Sequence, residues 1–266
     1  MSIRLLDCTL RDGGYINDWK FGYRTAKSII QKLVDSNADY VEVGFLRNCS
    51  YDKNATLFNN IAELKKILPR EQKNTKFTVM ALHNKYDITK LEPNDGTVEA
   101  VRVTFHDYDI DEGLEFVKKV MEKGYKCFCN PINIMGYSDQ EILNLIQKIN
   151  QIKPYAFSIV DTFGSMIKSD LLRIYSLLEH NLDKSIVIGL HLHENLSLSY
   201  SLAQEFIGMR NVNRDCVIDG SLMGMGRVPG NLCLELIMDY MNKYDSVKYN
   251  VDSVLDAIDD LSLIHI

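Results

Sequence analysis

Residues 127–160, CFCNPINIMGYSDQEILNLIQKINQIKPYAFSIV, contain one complete strand–helix–strand unit. Apolar residues dominate Cys127–Ile134 and Ala156–Val160, which predicts a buried strand at each end. The intervening segment Ser138–Asn150 opens with Ser138 and Glu141 at the spacing of a capping box, and its Ile and Leu residues recur at helical intervals. Two strands joined by a helix in this way are the repeating unit of parallel α/β proteins.

The same unit recurs along the whole chain. We predict eight strands: Ile3–Cys8, Tyr40–Phe45, Phe77–Leu82, Ala100–Phe105, Cys127–Ile134, Ala156–Val160, Ile186–His193 and Val217–Leu222. Helical patterns separate them, except that residues 84–97 contain Pro93 and Gly96 and show little periodicity, which predicts a short or degenerate helix there. Eight repeats favour a closed (β/α)8 TIM barrel of the α/β class, with an open doubly wound sheet as the alternative.

Length and composition indicate one domain. The chain has 266 residues, of which 46% are apolar, and a barrel of this kind needs roughly 250 residues. We see no linker rich in Pro, Gly or Ser. We therefore predict that residues 1–266 form a single catalytic domain, with residues 244–266 as a helical cover at the carboxyl terminus.

The net charge and the cysteines limit which classes of binding partner and which cellular compartment the sequence is compatible with. The net charge of -6 is spread without a basic run, which argues against nucleic-acid and anionic-membrane partners. Arg4 and Asp7 interrupt the first apolar run, and no stretch approaches about 18 apolar residues. The six scattered cysteines predict free thiols in a reducing compartment, so we expect a cytoplasmic protein.

Chemically active residues cluster at predicted strand ends, where barrel enzymes carry their active sites. His191 and His193 lie two apart on the seventh strand, so both imidazoles point to the same face. Two inward imidazoles are suited to bind a divalent cation. The alternative is a pair of hydrogen-bonded structural histidines. Asp12, after the first strand, is the candidate anionic ligand; the alternative is a turn residue ahead of two glycines.

Further candidates surround this predicted centre. Arg11 is suited to stabilise an oxyanion, with a structural salt bridge as an equally weighted alternative. Gly14 allows the backbone to approach a ligand closely, and Glu42 at the second strand is a further candidate for substrate binding. Asn231, in the loop GMGRVPGN after the eighth strand, offers one more oxygen near the metal.

Three motifs together resemble a known family. TLRDGG near the amino terminus, HxHxN in the seventh strand and GSLMGMGRVPGNLCLE after the eighth strand are similar to metal-dependent lyases and aldolases. That family includes 3-hydroxy-3-methylglutaryl-CoA lyase, isopropylmalate synthase and 4-hydroxy-2-oxovalerate aldolase, and HLHENLSLS looks most like the last of these. The resemblance covers nearly the whole chain, and the motifs occur in the family's order.

The resemblance implies roles for individual residues. Asp12, His191 and His193 would hold the metal, with Asn231 as an additional or nearby ligand. Arg11 would stabilise an enolate oxygen. Thr162, in the sequence VDTFG, would contact the substrate carboxylate, unless it caps the following helix instead.

Two features depart from the hydroxyvalerate aldolases. Tyr15 stands where those enzymes carry a histidine base, and a free phenol, with a pKa of about 10, is a poor base at neutral pH. His106, at the end of the fourth strand, is therefore a second candidate base, although a capping or core role is equally compatible. The chain also stops at Ile266, whereas those aldolases continue into a helical extension that contacts a partner dehydrogenase, so we do not expect such a partner.

The predicted activity is reversible carbon–carbon cleavage of a 4-hydroxy-2-oxo acid to pyruvate and an aldehyde, dependent on Mn²⁺, Mg²⁺ or Zn²⁺. The expected partner is a small 2-oxo acid, and a homo-oligomer is compatible with the sequence. One alternative is an acyl-CoA-dependent condensing synthase or lyase of the same family. The other is a catalytically silent barrel that acts as a binding module.

Overall fold

Eight parallel strands close into a barrel. The computed structural model describes residues 2–265, with side chains described as far as Leu261. The described residues contain nine strands, eight in the barrel and one outside it: β1 (Ile3–Asp7), β2 (Tyr40–Leu46), β3 (Leu57–Phe58), β4 (Lys76–Leu82), β5 (Ala100–Phe105), β6 (Lys126–Pro131), β7 (Ala156–Val160), β8 (Val187–His191) and β9 (Cys216–Gly220). Their order is β1-β2-β4-β5-β6-β7-β8-β9, and β9 pairs with β1 to close the sheet. The short β3 pairs with β2 outside this ring. The (β/α)8 TIM barrel is confirmed, and the open sheet is excluded.

Helices connect the strands, and the longer ones surround the barrel. They are α1 (Thr9–Asp12), α2 (Gly14–Asn17), α3 (Tyr23–Asp35), α4 (Ile61–Leu64), α5 (Ile110–Glu122), α6 (Asp139–Ile152), α7 (Lys168–Asn181), α8 (Ser199–Met209), α9 (Leu234–Tyr244) and α10 (Val251–His265). The third connection holds one 3-10 turn, Ile88–Lys90, as its weak periodicity predicted. No helix among residues 2–265 has the length and apolar character needed to cross a bilayer.

The capping box predicted at α6 is present. The Ser138 hydroxyl accepts a hydrogen bond from the Glu141 backbone N–H, and the Glu141 carboxylate accepts one from the Ser138 N–H at 2.8 Å. Four apolar side chains form the buried face of the helix: Ile142, Leu145, Ile146 and Ile149. The sequence pattern and the packing of this element agree.

Three strands end earlier than the sequence pattern predicted. The last paired residues of β6, β8 and β9 are Pro131, His191 and Gly220. Beyond them Ile134, Leu192 and Leu222 are buried although they lie in loops or turns. The apolar pattern therefore continues past the last hydrogen-bonded residue of each strand, because these loop residues are also buried in the core. β3 has only two residues and was not predicted.

The carboxyl-terminal helix α10 packs beside α3. The Ser28 hydroxyl donates a 2.5 Å hydrogen bond to Asp260, and the Lys32 ammonium lies 2.7 Å from the same carboxylate. Val254 and Ala257 are fully buried in this contact layer. The helix begins at Val251, later than the predicted start of the cover at residue 244, and Ile266 lies outside the described residues.

The barrel interior is divided into an apolar layer and a polar layer. Leu6, Tyr40, Ala100, Phe128 and Val217 belong to a buried cluster near the amino ends of the strands. Two residues further along four of these strands come Glu42, Arg102, Asn130 and Asp219, which are all buried. Because side chains alternate along a strand, these four face the same interior. The polar layer lies directly beneath the loops at the carboxyl ends of the strands.

Candidate metal centre

Asp12, His191 and His193 converge at the carboxyl end of the barrel. Their candidate ligand atoms all lie within 4.8 Å of one another, and all three side chains are buried. The Asp12 carboxylate oxygen Oδ2 is 3.9 Å from His191 Nε2 and 3.6 Å from His193 Nε2. Asp12 is the last residue of α1, and His191 is the last residue of β8. His193 lies beyond the strand, where its backbone forms an isolated bridge with Asn231.

The outer nitrogen of each imidazole is already occupied. His193 Nδ1 lies 2.8 Å from the Asp161 carbonyl oxygen, and His191 Nδ1 lies 2.9 Å from Asp219 Oδ2. A carbonyl oxygen can only accept, so Nδ1 of His193 donates, and in the neutral imidazole Nε2 then presents a lone pair. His193 Nε2 is buried without a hydrogen-bond partner among the described residues. This arrangement of outer contacts is the one that metal-ligating histidines show.

The protonation states also suit metal binding. Burial alone would raise the pKa of Asp12, but the Arg11 guanidinium and the two imidazoles outweigh it and hold that pKa well below its usual range. Burial lowers the pKa of His191 in spite of the neighbouring Asp219 carboxylate. The site therefore combines an ionised carboxylate with a neutral imidazole at neutral pH, and both can bind a dication.

Asn231 supports the carboxylate ligand. Its Nδ2 donates a 2.6 Å hydrogen bond to Asp12 Oδ2, while its Oδ1 is buried and has no partner in the described part of the chain. A Cβ atom on Gly226 would lie 2.4 Å from Asn231 Nδ2, so only glycine fits at that position of the loop. Asn231 thus orients Asp12 and presents a free oxygen beside it.

Arg11 is held by carboxylates on two sides. Its Nε donates a 2.7 Å hydrogen bond to Glu42, and its Nη1 donates to Asp12. The Arg11 carbonyl oxygen accepts a 2.7 Å bond from Trp19 Nε1. A Cβ atom on Gly14 would lie 2.0 Å from the Trp19 ring. Gly14 therefore makes room for the indole that bonds to the Arg11 carbonyl, and a ligand contact at Gly14 stays a prediction.

Glu42 and a second arginine lie beneath Arg11. Glu42 is fully buried, and its Oε2 accepts bonds from both Arg11 and Arg102, the latter at 3.0 Å. Arg102 also donates to Asp219, which holds His191. The structure thus places Glu42 under the site as an anchor for two guanidinium groups.

Arg102 and Asp219 were missed by the sequence analysis. The available signal was a charged residue inside an otherwise apolar strand, in AVRVTF and in CVIDG. A buried charge is costly unless it is paired, so such a residue points to a network in the interior.

A cavity with about 90 Å³ of space accessible to water opens above the centre. The described residues that line it are Arg11, Asp12, Tyr15, Phe45, Met80, Leu82, Arg102, Thr104, Asn130, Ile132, Val160, Thr162, His191, His193 and Arg227. Asn130 is only 3% exposed, and neither atom of its amide has a partner among the described residues. Its amide is therefore available to a ligand in the cavity.

Tyr15 and Thr162 reach this cavity, whereas His106 is not among its lining residues. Tyr15 is 45% exposed and packs edge-on against Trp19. Thr162 Oγ1 accepts a 2.7 Å hydrogen bond from the Asn133 N–H, and α7 is capped by Ile167, so Thr162 does not cap that helix. The His106 ring stacks on Tyr108, and its Nδ1 lies 3.6 Å from Asp109.

The model of the HMGL-like family matches residues 2–261. The chain belongs to the HMGL-like family. Accordingly it is an enzyme of the metal-dependent carbon–carbon lyase class, and its Asp12–His191–His193 group is able to hold the divalent ion.

Several known proteins resemble this HMGL-like chain. It is 23% identical to a 4-hydroxy-2-oxovalerate aldolase of Geobacillus genomosp. 3, over 96% of this chain and 79% of that protein. The 4-hydroxy-2-oxovalerate aldolase of Moorella thermoacetica is also 23% identical, with coverages of 98% and 76%. Among solved structures, the Bacillus subtilis HMG-CoA lyase superposes with a TM-score of 0.75 at 16% identity, over 99% of this chain and 93% of that one. At this sequence identity the structural similarity shows a shared fold and nothing further.

Proposed function

We propose that this enzyme reversibly cleaves a 4-hydroxy-2-oxo acid to pyruvate and an aldehyde. The observation that carries the proposal is the convergence of Asp12, His191 and His193 with Arg11 in one cavity. The curated relatives named as 4-hydroxy-2-oxovalerate aldolases support the same reaction class. A small 2-oxo acid is the proposed substrate, and the six free thiols are compatible with the cytoplasmic location we infer.

The donor set suits a borderline or hard divalent ion. One carboxylate oxygen and two imidazole nitrogens, with the Asn231 oxygen beside them, fit Mn²⁺, Mg²⁺ or Zn²⁺. When bound, such an ion supplies Lewis-acid polarisation of the 2-keto group and offsets the negative charge that develops on cleavage. We propose Asp12, His191 and His193 as its protein ligands.

Arg11 and Thr162 bind the pyruvate half of the substrate in this proposal. Arg11 uses Nε and Nη1 for Glu42 and Asp12, which leaves Nη2 to donate to the developing enolate oxygen. Thr162 Oγ1 already accepts a bond from a backbone N–H, so its own hydrogen is available to the substrate carboxylate. Both groups are fixed before the substrate arrives, which lowers the cost of ordering them.

Tyr15 is the proposed proton carrier. The bond between C3 and C4 breaks as the C4 hydroxyl loses its proton, the aldehyde leaves, and protonation of C3 gives pyruvate. Apart from the ligand residues and the arginines, Tyr15 is the titratable residue in the cavity lining. Because a free phenol is a poor base at neutral pH, Tyr15 would act as a relay: its exposed hydroxyl gives its own proton to water or to C3 as it takes one from the C4 hydroxyl. His106, our other candidate, is not among the lining residues.

A direct assay tests the proposal. The enzyme is loaded with Mn²⁺ or Mg²⁺ and given a panel of 4-hydroxy-2-oxo acids, and pyruvate release is followed with a coupled dehydrogenase. We expect turnover of at least one substrate, and its loss in His193→Ala. If the metal-loaded enzyme turns over no member of the panel, the proposal is wrong. Stabilisation by CoA thioesters would then assign a condensing enzyme, and absence of stoichiometric metal would assign a binding module.

A further inference from the structure

Arg227 is an exposed arginine in the lining of the catalytic cavity. Within the described part of the chain, no hydrogen bond or ion pair joins its side chain to another residue. The other two arginines of the cavity, Arg11 and Arg102, are each bound to two carboxylates. Arg227 is thus the cavity arginine whose charge the protein leaves unmatched.

The loop that carries Arg227 is tied to the metal centre. The Gly230 N–H donates to the Arg227 carbonyl at 2.8 Å, and the Asn231 N–H donates to the Gly224 carbonyl at 2.8 Å. The Glu194 N–H, next to His193, donates to the Gly230 carbonyl at 2.9 Å. Since Asn231 itself bonds to Asp12, the backbone of Arg227 is fixed relative to the metal ligands.

With a bound divalent ion and one substrate carboxylate, the charges of the inner network would balance without Arg227. Two guanidinium groups, Arg11 and Arg102, face three carboxylates, Asp12, Glu42 and Asp219. This network has one excess negative charge, and a bound divalent ion turns it into one excess positive charge. The carboxylate of a 2-oxo acid then neutralises the centre. A substrate with one carboxylate therefore leaves the Arg227 charge unused.

We propose that Arg227 binds a second anionic group, a carboxylate or a phosphate, on the aldehyde half of the substrate. The inference rests on the proposed aldolase function. The pyruvate half is bound at Arg11 and Thr162, so the remaining lining groups face the rest of the molecule. The buried, unpartnered amide of Asn130 is a second polar group in the same cavity lining that no protein group satisfies among the described residues. In the synthetic direction C3 of pyruvate bonds to the aldehyde carbon, and the proton lost from C3 is balanced by one gained on the aldehyde oxygen.

Matched ligands separate charge from size. For binding, metal-loaded enzyme is titrated calorimetrically with 2-oxoadipate and with 2-oxohexanoate, which replaces the distal carboxylate by a methyl group. For catalysis, pyruvate is condensed with succinic semialdehyde against butanal, and with glyceraldehyde 3-phosphate against glyceraldehyde. The first pair reports a carboxylate and the second a phosphate. Each measurement is made on wild type, Arg227→Ala, Arg227→Lys and the loop control Val228→Ala, because Val228 is 87% exposed.

We expect wild type to prefer the anionic member of at least one pair by roughly 10- to 100-fold in kcat/KM, as for hydrogen bonds to charged groups. Arg227→Ala should remove that preference through KM and leave the neutral aldehyde unaffected. Arg227→Lys should retain part of it, and Val228→Ala all of it. Turnover of neutral and anionic aldehydes with equal efficiency would overturn this inference and leave the aldolase proposal standing. No turnover of any pair, together with no preference for 2-oxoadipate, would overturn both.

Discussion

His191 presents Nε2 toward Asp12 because a carboxylate on its far side holds the ring. Asp219 Oδ2 lies 2.9 Å from His191 Nδ1 and also accepts a bond from Arg102. Burial alone would raise the pKa of Asp219, but Arg102 and His191 lower it below its usual value, so the carboxylate stays charged. Asp219 is a positioning residue that acts through His191.

Replacing this carboxylate should weaken metal binding. We expect Asp219→Asn to lower the affinity for Mn²⁺ by about 10- to 100-fold, as outer contacts of ligating histidines do. The matched control is Asp215→Asn, before the same strand, where the carboxylate pairs with Arg4 at 2.9 Å far from the cavity. Calorimetric titration of both variants makes the comparison. Unchanged affinity in a folded Asp219→Asn protein would contradict the assigned role.

Tyr15→Phe tests the proton carrier. The substitution keeps the ring contacts with Trp19 and Phe45 and removes only the hydroxyl. We expect kcat to fall by about 10²- to 10⁴-fold, the usual contribution of general acid–base catalysis, with metal affinity retained. His106→Gln is the comparison, and a larger loss of kcat in that variant than in Tyr15→Phe would reverse the assignment.

The sequence predicted the three residues that converge at the candidate metal centre but not the groups that orient them. Period-two spacing was sufficient to place His191 and His193 on one face. Active sites of barrel enzymes lie at the carboxyl ends of the strands, and this regularity placed Asp12 near them. The contacts of Arg102 with Glu42 and Asp219 join strands that are distant in sequence, and their meeting depends on strand register. His106 does follow the carboxyl end of β5, as predicted, but its position in the sequence could not show whether the side chain reaches the cavity.

The start of α6 shows how much a local pattern can establish. The Ser138 cap satisfies a backbone N–H of the first turn, which would otherwise lack a partner. We expect Ser138→Ala to lower the free energy of unfolding by about 1 kcal/mol, measured by urea denaturation. Ser176→Ala, at an exposed mid-helix position of α7, is the control and should cause no loss, because alanine is the better helix former. Equal effects of both substitutions would argue against a stabilising cap.

Elements with strong local signals were predicted, and elements set by tertiary contact were not. The eight barrel strands follow from apolar runs between helical patterns. The ends of β6, β8 and β9 differ because buried loop residues extend the apolar pattern beyond the hydrogen-bonded ladder. β3 exists through two residues that pair with β2, and no periodicity can arise over that length.

At the scale of the whole barrel, one buried carboxyl makes stability depend on pH. Asp7 is fully buried, and burial raises its pKa from 3.8 to about 7, although hydrogen bonds from Thr9 oppose the shift. The folded protein therefore holds a proton that the unfolded chain releases above 3.8, so this contribution to stability is lost as pH rises through about 7. Asp12 and Asp219 have lowered pKa values, so their contributions are lost only in acid.

Asp7→Asn should remove this dependence. We expect the variant, freed of metal, to be more stable than wild type by about 1–3 kcal/mol near pH 8, because an amide avoids burying a charge. The difference should shrink toward about pH 5, where Asp7 is protonated in the folded state. Urea denaturation at both pH values measures it, and a difference that does not change with pH would contradict the explanation.

Metal binding by three converging side chains is the central claim, and calorimetric titration of chelator-treated protein with Mn²⁺ tests it most directly. We predict one ion per chain in wild type, loss of binding in Asp12→Ala and His193→Ala, and retention in His106→Ala, which removes a histidine outside the cavity lining. Undiminished binding in Asp12→Ala and His193→Ala, or no binding in wild type, would contradict the claim.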